Sequence, residues 1–148
     1  MKWLLDTNIV SESVRHHPNQ SVLNWIRQHP PPEVAVSIVT IAELRVGVDR
    51  TANPDRRAML AHWMAKEMEP LFKDHTLPLT IGILTQWLDL GRRNAVAGST
   101  RAPADLLIAA TARVHDVIIV TRNVRDFVGT GVLVYDPWKD KVHKMELA

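Results

Sequence analysis

Val117-Ile118-Ile119-Val120-Thr121-Arg122-Asn123 is the stretch from which the fold can be read. The four β-branched aliphatic residues Val117–Val120 favour a strand, because branching at Cβ stiffens χ1 and suits a pleated surface. The run is continuously apolar, not alternating. A strand of that kind is covered on both faces, and its usual setting is a parallel sheet. Lys2–Leu5, Val34–Ser37 and Val132–Tyr135 share the pattern, and Leu77–Thr80 is a weaker fifth candidate.

Helical patterns lie between these runs. Gln20–His29 groups Val22, Leu23, Trp25 and Ile26, and Ile38–Val48 is apolar with few breaks. Pro54–Glu69 follows Asn53, a good cap before a proline at the first helical position. Its Met59, Leu60, Trp63, Met64 and Met68 form one apolar stripe and are read as core. Ile81–Arg93 repeats the pattern, and Pro103–His115 again opens on proline. Strands alternating with helices predict an α/β fold, a three-layer α/β/α sandwich around a central, mostly parallel sheet.

The chain has 148 residues, of which 46% are hydrophobic and 23% charged, the balance of one globular domain. Residues 1–138 are expected to form that domain and 139–148 a polar or loosely docked tail. With no cysteine, disulfides and thiolate metal sites are excluded, and a cytoplasmic setting is expected. No apolar run approaches the roughly 20 residues of a membrane span, so no membrane association is expected. The seven histidines show no metal-ligand spacing. Net charge is only +2, but the base is mostly arginine, a better fork for phosphate oxygens than lysine.

Three acids stand in apolar company. Asp6 follows Trp3-Leu4-Leu5, Glu43 sits within Ile41-Ala42-Glu43-Leu44, and Asp105 within Pro103-Ala104-Asp105-Leu106-Leu107. Each alone could be a helix cap or a first-turn acid. Together they follow a topology. All strand carboxyl ends of an open parallel sheet share one edge, where ligands bind. Asp6 lies past the first strand and Glu43 early in the helix after the second. Asp105 opens the helix that leads into Val117–Val120, whose far end continues into Arg122, Asn123, Arg125 and Asp126. Carboxylates gathered at one edge repel and call for a cation. The available donors are oxygens, which favours Mg²⁺ or Mn²⁺ over Zn²⁺ and suits phosphodiester hydrolysis. A haloacid dehalogenase-like phosphatase would place a second Asp where Asn8 stands, and no glycine-rich phosphate loop is present.

Leu4-Leu5-Asp6-Thr7-Asn8, Ile41-Ala42-Glu43-Leu44, Ala104-Asp105-Leu106-Leu107-Ile108-Ala109-Ala110 and Val120-Thr121-Arg122-Asn123 together resemble a PIN domain. More narrowly, they resemble VapC toxins of VapBC toxin–antitoxin pairs. Asp6–Glu12, Ala42–Gly47 and Asp136-Pro137-Trp138 are similar to the FitB branch. The resemblance runs from about Lys2 to Trp138 and implies a Mg²⁺-dependent endoribonuclease, with Mn²⁺ able to substitute. Asp6 and Asp105 correspond to direct metal ligands. Glu43 would act through water, hold a second metal or position the nucleophile, and Thr7 would support the metal-bound water. Many relatives carry Asp directly after Thr-Arg, where this chain has Asn123, and Asp126 three residues on is the candidate replacement. Arg122, Arg125 and Arg45 are the favoured RNA contacts, with Arg92, Arg93 and Arg101 as further candidates. The resemblance also implies a VapB-like antitoxin, operator DNA bound only through that antitoxin, a homodimer, and structured RNA such as tRNA or rRNA loops as substrate. The competing expectation is a weakly active or non-catalytic scaffold that dimerises and holds the antitoxin.

Overall fold

Four of the apolar runs become strands within a residue of the expected limits, whereas the strand expected over Leu77–Thr80 is Thr76–Leu77, because Thr80 caps the next helix. In the computed structural model, which describes residues 1–148, the elements run β1 (Trp3–Leu5), α1 (Thr7–Glu12), α2 (Gln20–Gln28), β2 (Val34–Ser37), α3 (Ile38–Asp49) and α4 (Pro54–Trp63). A π-helical turn (Met64–Met68), α5 (Glu69–Leu71), β3 (Thr76–Leu77), α6 (Ile81–Val96) and α7 (Pro103–His115) follow. The chain closes with β4 (Ile118–Val120), a 3₁₀ turn (Val124–Phe127), β5 (Leu133–Asp136) and β6 (Lys141–Lys144). No helix is long and apolar enough to cross a membrane.

The six strands are ordered β3-β2-β1-β4-β5-β6. The first five are parallel, with Leu5 opposite Val36 on one side and Val120 on the other. The chain winds outward from β1 through β2 to β3, then returns to the other side of β1 as β4. That reversal makes β1/β4 the switch point, where neighbouring crossovers diverge and leave a crevice above the carboxyl ends.

Helices cover both faces, which explains the continuous apolarity of the strands. Trp3 and Leu5 pack into a core with Trp25, Leu44, Trp63 and Met68, while Leu4 packs the other way with Ile83, Leu90, Ile108, Ile119 and Phe127. The α/β/α layering expected from the alternation of elements is thus observed.

Three features differ from expectation. First, α1 is invisible in the sequence pattern; its single turn and a half is too short to show periodicity, although Ile9 and Val10 are buried. Second, the helix expected over Pro54–Glu69 stops at Trp63 and continues as the π-helical turn. Pro70 lacks the N–H that would bond the carbonyl of Lys66, and the wider turn lets Trp63, Met64 and Met68 all bury. Met59, expected in the core stripe, is 44% exposed.

Third, the last ten residues are not a free polar tail. Lys141–Lys144 pairs antiparallel with β5, and Met145 enters the core beside Phe127 and Val132. Leu147 bridges to Gly129 and Thr130. Gly129 has φ +85°, and a Cβ there would collide with the Asn94 amide oxygen, so only glycine fits. Met145→Ala is expected to destabilise the protein by about 2 kcal/mol or more, from reduced burial plus the cavity left behind. A lower urea midpoint at unchanged m-value would show it.

Candidate active site

Asp6 follows β1 in extended conformation and caps α1, its Oδ1 accepting from the Thr7 amide at 2.8 Å. The cap expected of a lone acid is therefore present, but it occupies only one oxygen. Oδ2 accepts from the Thr121 hydroxyl at 2.8 Å and from Asn8 Nδ2 at 3.3 Å. Thr121 directly follows β4, so this contact spans the switch point.

The Thr121 hydroxyl is fully committed. It donates to Asp6 and accepts from Asn8 Nδ2 at 2.9 Å and from the Asn123 amide at 3.0 Å. One proton and two lone pairs are all a hydroxyl has, so its orientation is fixed. Asn8 completes the brace, its Oδ1 accepting from the Arg122 amide at 3.1 Å. Sequence reasoning assigns no site role to Asn8 or Thr121. Polar residues after strands are common, and only the pairing of β1 with β4 makes these two neighbours.

Glu43 lies on α3, after the Ser37 cap at the end of β2. It is exposed, and its Oε1 accepts from the Thr7 hydroxyl at 2.8 Å. Asp105 lies in the first turn of α7 and is half-buried. Its carboxyl is pushed up to about 6, first by burial, then by the charges of Asp126, Asp6 and Glu43, against a weaker pull from Arg101. Asp6 is raised as well, chiefly by burial and further by Glu43 and Asp126, although the Thr121 and Thr7 hydrogen bonds favour its ionised form. Asp6, Glu43, Asp105 and Asp126 therefore lie within electrostatic reach of one another, as expected for acids collected at the carboxyl edge of a parallel sheet.

Of the two candidates for the fourth position, Asn123 precedes the 3₁₀ turn and Asp126 lies within it. The charge of Asp126, like that of Glu43, acts on both Asp105 and Asp6. Asn123 is exposed, and its amide is tied to Thr121. Both line a cleft of about 960 Å³ together with Arg122 and Arg125. Arg45 is placed elsewhere. It pairs with Glu69 at 2.7 Å across to α5 and does not line that cleft. Arg92 and Arg93 both bond Asp89, while Arg101 lines the cleft and donates to the Arg125 carbonyl at 3.0 Å.

Thr121→Val removes the acceptor of two donors and the donor to Asp6, and is expected to cost about 1–3 kcal/mol in chemical denaturation. The raised carboxyls give a pH dependence. A carboxyl raised in the folded state takes up its proton more readily there than in the unfolded chain. Stability is then lost as pH rises from the ordinary carboxylate range through about 6. With EDTA present, Asp105→Asn is expected to raise Tm at pH values well above 6 and to have little effect below about pH 4, under the ordinary Asp value. Equal shifts at both pH values would refute the charge crowding.

The PIN domain family model matches residues 3–131, a span that holds all four acids. The chain is 34% identical over 137 residues to Toxin FitB of Neisseria gonorrhoeae, covering 93% of this chain and 99% of that protein. It is 30% identical over 136 residues to VapC ribonuclease Y4jK of Sinorhizobium fredii, covering 92% and 97%. The solved structure of FitAB bound to an IR36 DNA fragment superposes with TM-score 0.85 at 33% identity, covering 92% of this chain and 95% of that one. A matched domain that includes Asp6, Glu43, Asp105 and Asp126, and full-length similarity to both FitB and a VapC ribonuclease, lead to one assignment: the chain belongs to the PIN domain family, as a VapC-type toxin of the FitB-like branch.

Proposed function

We propose that the protein is a metal-dependent endoribonuclease, the toxin of a toxin–antitoxin pair, which hydrolyses phosphodiester bonds in the single-stranded loops of structured RNA such as tRNA or rRNA. The observation that carries this reading is the gathering of Asp6, Glu43, Asp105 and Asp126 at the switch point, where burial first and the neighbouring charges second raise the Asp6 and Asp105 carboxyls. Such an arrangement is unfavourable without a cation and favourable with one. Similarity to a protein named as a ribonuclease supports the chemistry.

The donors fit a hard divalent ion. All are oxygens, and no three of them close into a ready cage. That agrees with Mg²⁺, which takes one or two carboxylates directly and keeps several waters. Asp6 and Asp105 are the residues that would hold it, with Mn²⁺ able to replace Mg²⁺. Bound there, the ion would acidify the attacking water and offset charge on the phosphoryl oxygens. Thr7 donates to Glu43 Oε1 and leaves Oε2 free to accept from that water. The brace of Thr121 and Asn8 keeps Asp6 in one orientation, so little reorganisation is needed when the ion binds. Asp126 supplies the fourth charge that Asn123 cannot. A single-stranded loop is favoured as substrate because an unstacked backbone can reach the ion.

The partner is a co-encoded antitoxin of the VapB kind, and operator DNA is contacted through it; the FitAB–DNA complex supports this. The toxin itself would act as a homodimer in the cytoplasm.

The test is cleavage of total small RNA by purified, antitoxin-free protein with Mg²⁺, Mn²⁺ or EDTA. Discrete metal-dependent fragments are expected, reduced about 100-fold or more in Asp6→Asn and Asp105→Asn. Asp126→Asn should impair cleavage more than Asn123→Ala. No cleavage by folded, metal-supplied protein would defeat the nuclease reading and favour a scaffold that only holds the antitoxin.

A further inference from the structure

We infer that the C-terminal hairpin builds a phosphate-gripping wall beside the acidic edge, with Lys139 and His143 joining Arg101, Arg122 and Arg125 to bind the RNA backbone flanking the scissile bond. The inference rests on the nuclease reading above and adds residues that lie past the family match, which ends at residue 131.

The five side chains line one cleft of about 960 Å³, large enough for a length of backbone and too large for a single ion. Only one hydrophobic residue, Val124, is among its lining, so it is poorly suited to an apolar partner. Asp126 belongs both to this lining and to the acidic cluster, so the basic cleft opens directly onto the carboxylates. A strand lying along it would pass from cationic side chains to the metal-binding edge.

The wall is pre-organised. Asp136, buried behind the turn, accepts from the Trp138 amide at 2.9 Å, and the Tyr135 hydroxyl donates to Asp140 at 2.9 Å. These bonds fix the turn that presents Lys139. The Arg122 guanidinium sits 5.4 Å from the Trp138 ring centroid, which limits its freedom. Arg101 is tied to the Arg125 carbonyl.

A second observation points to a missing acceptor. Arg101 Nε and His143 Nε2 are both buried and have no hydrogen-bond partner. A buried donor without an acceptor is costly. A small outward turn of either side chain would bring the Arg101 N–H, or the Nε2–H tautomer of His143, to phosphate oxygens in the cleft.

The test separates binding from cleavage. A fluorescein-labelled oligouridylate is titrated into the Asp105→Asn protein, with and without Lys139→Ala plus His143→Ala, over a series of salt concentrations. Affinity is expected to fall about 10-fold, and the slope of log K against log salt to drop by about 0.7 for each phosphate that is no longer neutralised. Lys66→Ala, on the π-helical turn, should change neither. Lys139→Glu, at an exposed position, gives a second variant whose fold a thermal melt can check, and it should weaken binding further. On the active background the same variants should raise KM for RNA and leave kcat nearly unchanged. Unchanged affinity and slope would overturn the inference, as would an equal fall in affinity in Lys66→Ala. Intact RNA binding with failure to capture the co-encoded antitoxin would also overturn it, by assigning the cleft to the protein partner. An absence of cleavage by the parent protein counts against the nuclease reading and leaves this binding test intact.

Discussion

The Thr121–Asp6 hydrogen bond joins the ends of β1 and β4 at the one place where the sheet changes winding direction. An ionised carboxylate this deeply buried needs donors, and Asp6 has three: the Thr7 amide, the Asn8 amide nitrogen and the Thr121 hydroxyl. The hydroxyl in turn is held by two donors of its own. Because every lone pair and proton of that hydroxyl is used, the carboxylate cannot turn away from the edge. Glu43 and Asp105 then approach a fixed charge, and their mutual repulsion is a property of the fold, not of one side-chain rotamer. The arrangement stores unfavourable electrostatics in the acidic edge, which a cation bound there would release. Asp105 therefore carries a stability cost that the fold retains.

The sheet is legible in the sequence because continuous β-branched runs have few alternatives in a chain of this size. Val34–Ser37 and Pro103–His115 begin and end where the residues indicate. The acids are legible for a related reason: Asp6, Glu43 and Asp105 interrupt apolar stretches, and an unpaired carboxylate there is expensive. The choice between Asn123 and Asp126 is not legible. It depends on how the 3₁₀ turn rotates its side chains, and four residues carry no periodic signal. Asn8 and Thr121 stay hidden because their role exists only across two strands far apart in sequence. Lys141-Val142-His143-Lys144 hides its strand differently. Nothing in its composition favours β-structure strongly, and pairing with β5 supplies what propensity does not.

Charge is partitioned across the carboxyl edge in a way that the overall +2 conceals. One side holds four acids, the other five basic or potentially basic groups, and Asp126 marks the boundary. A polyanion approaching the acids alone would be repelled. The adjoining cations offer it a route in which attraction is felt first and the carboxylates are met afterwards.

The two borders of the sheet have a consequence for how other chains can attach. β3 is only two residues long, and β6 carries lysine at both ends. A short border offers too few unpaired backbone groups to template another strand, and lysines disfavour the close approach of a second chain's edge. Association by strand addition is thereby closed at both ends. A partner must instead engage helices, loops or the charged crevice, and copies of the protein are kept from zipping into continuous sheets.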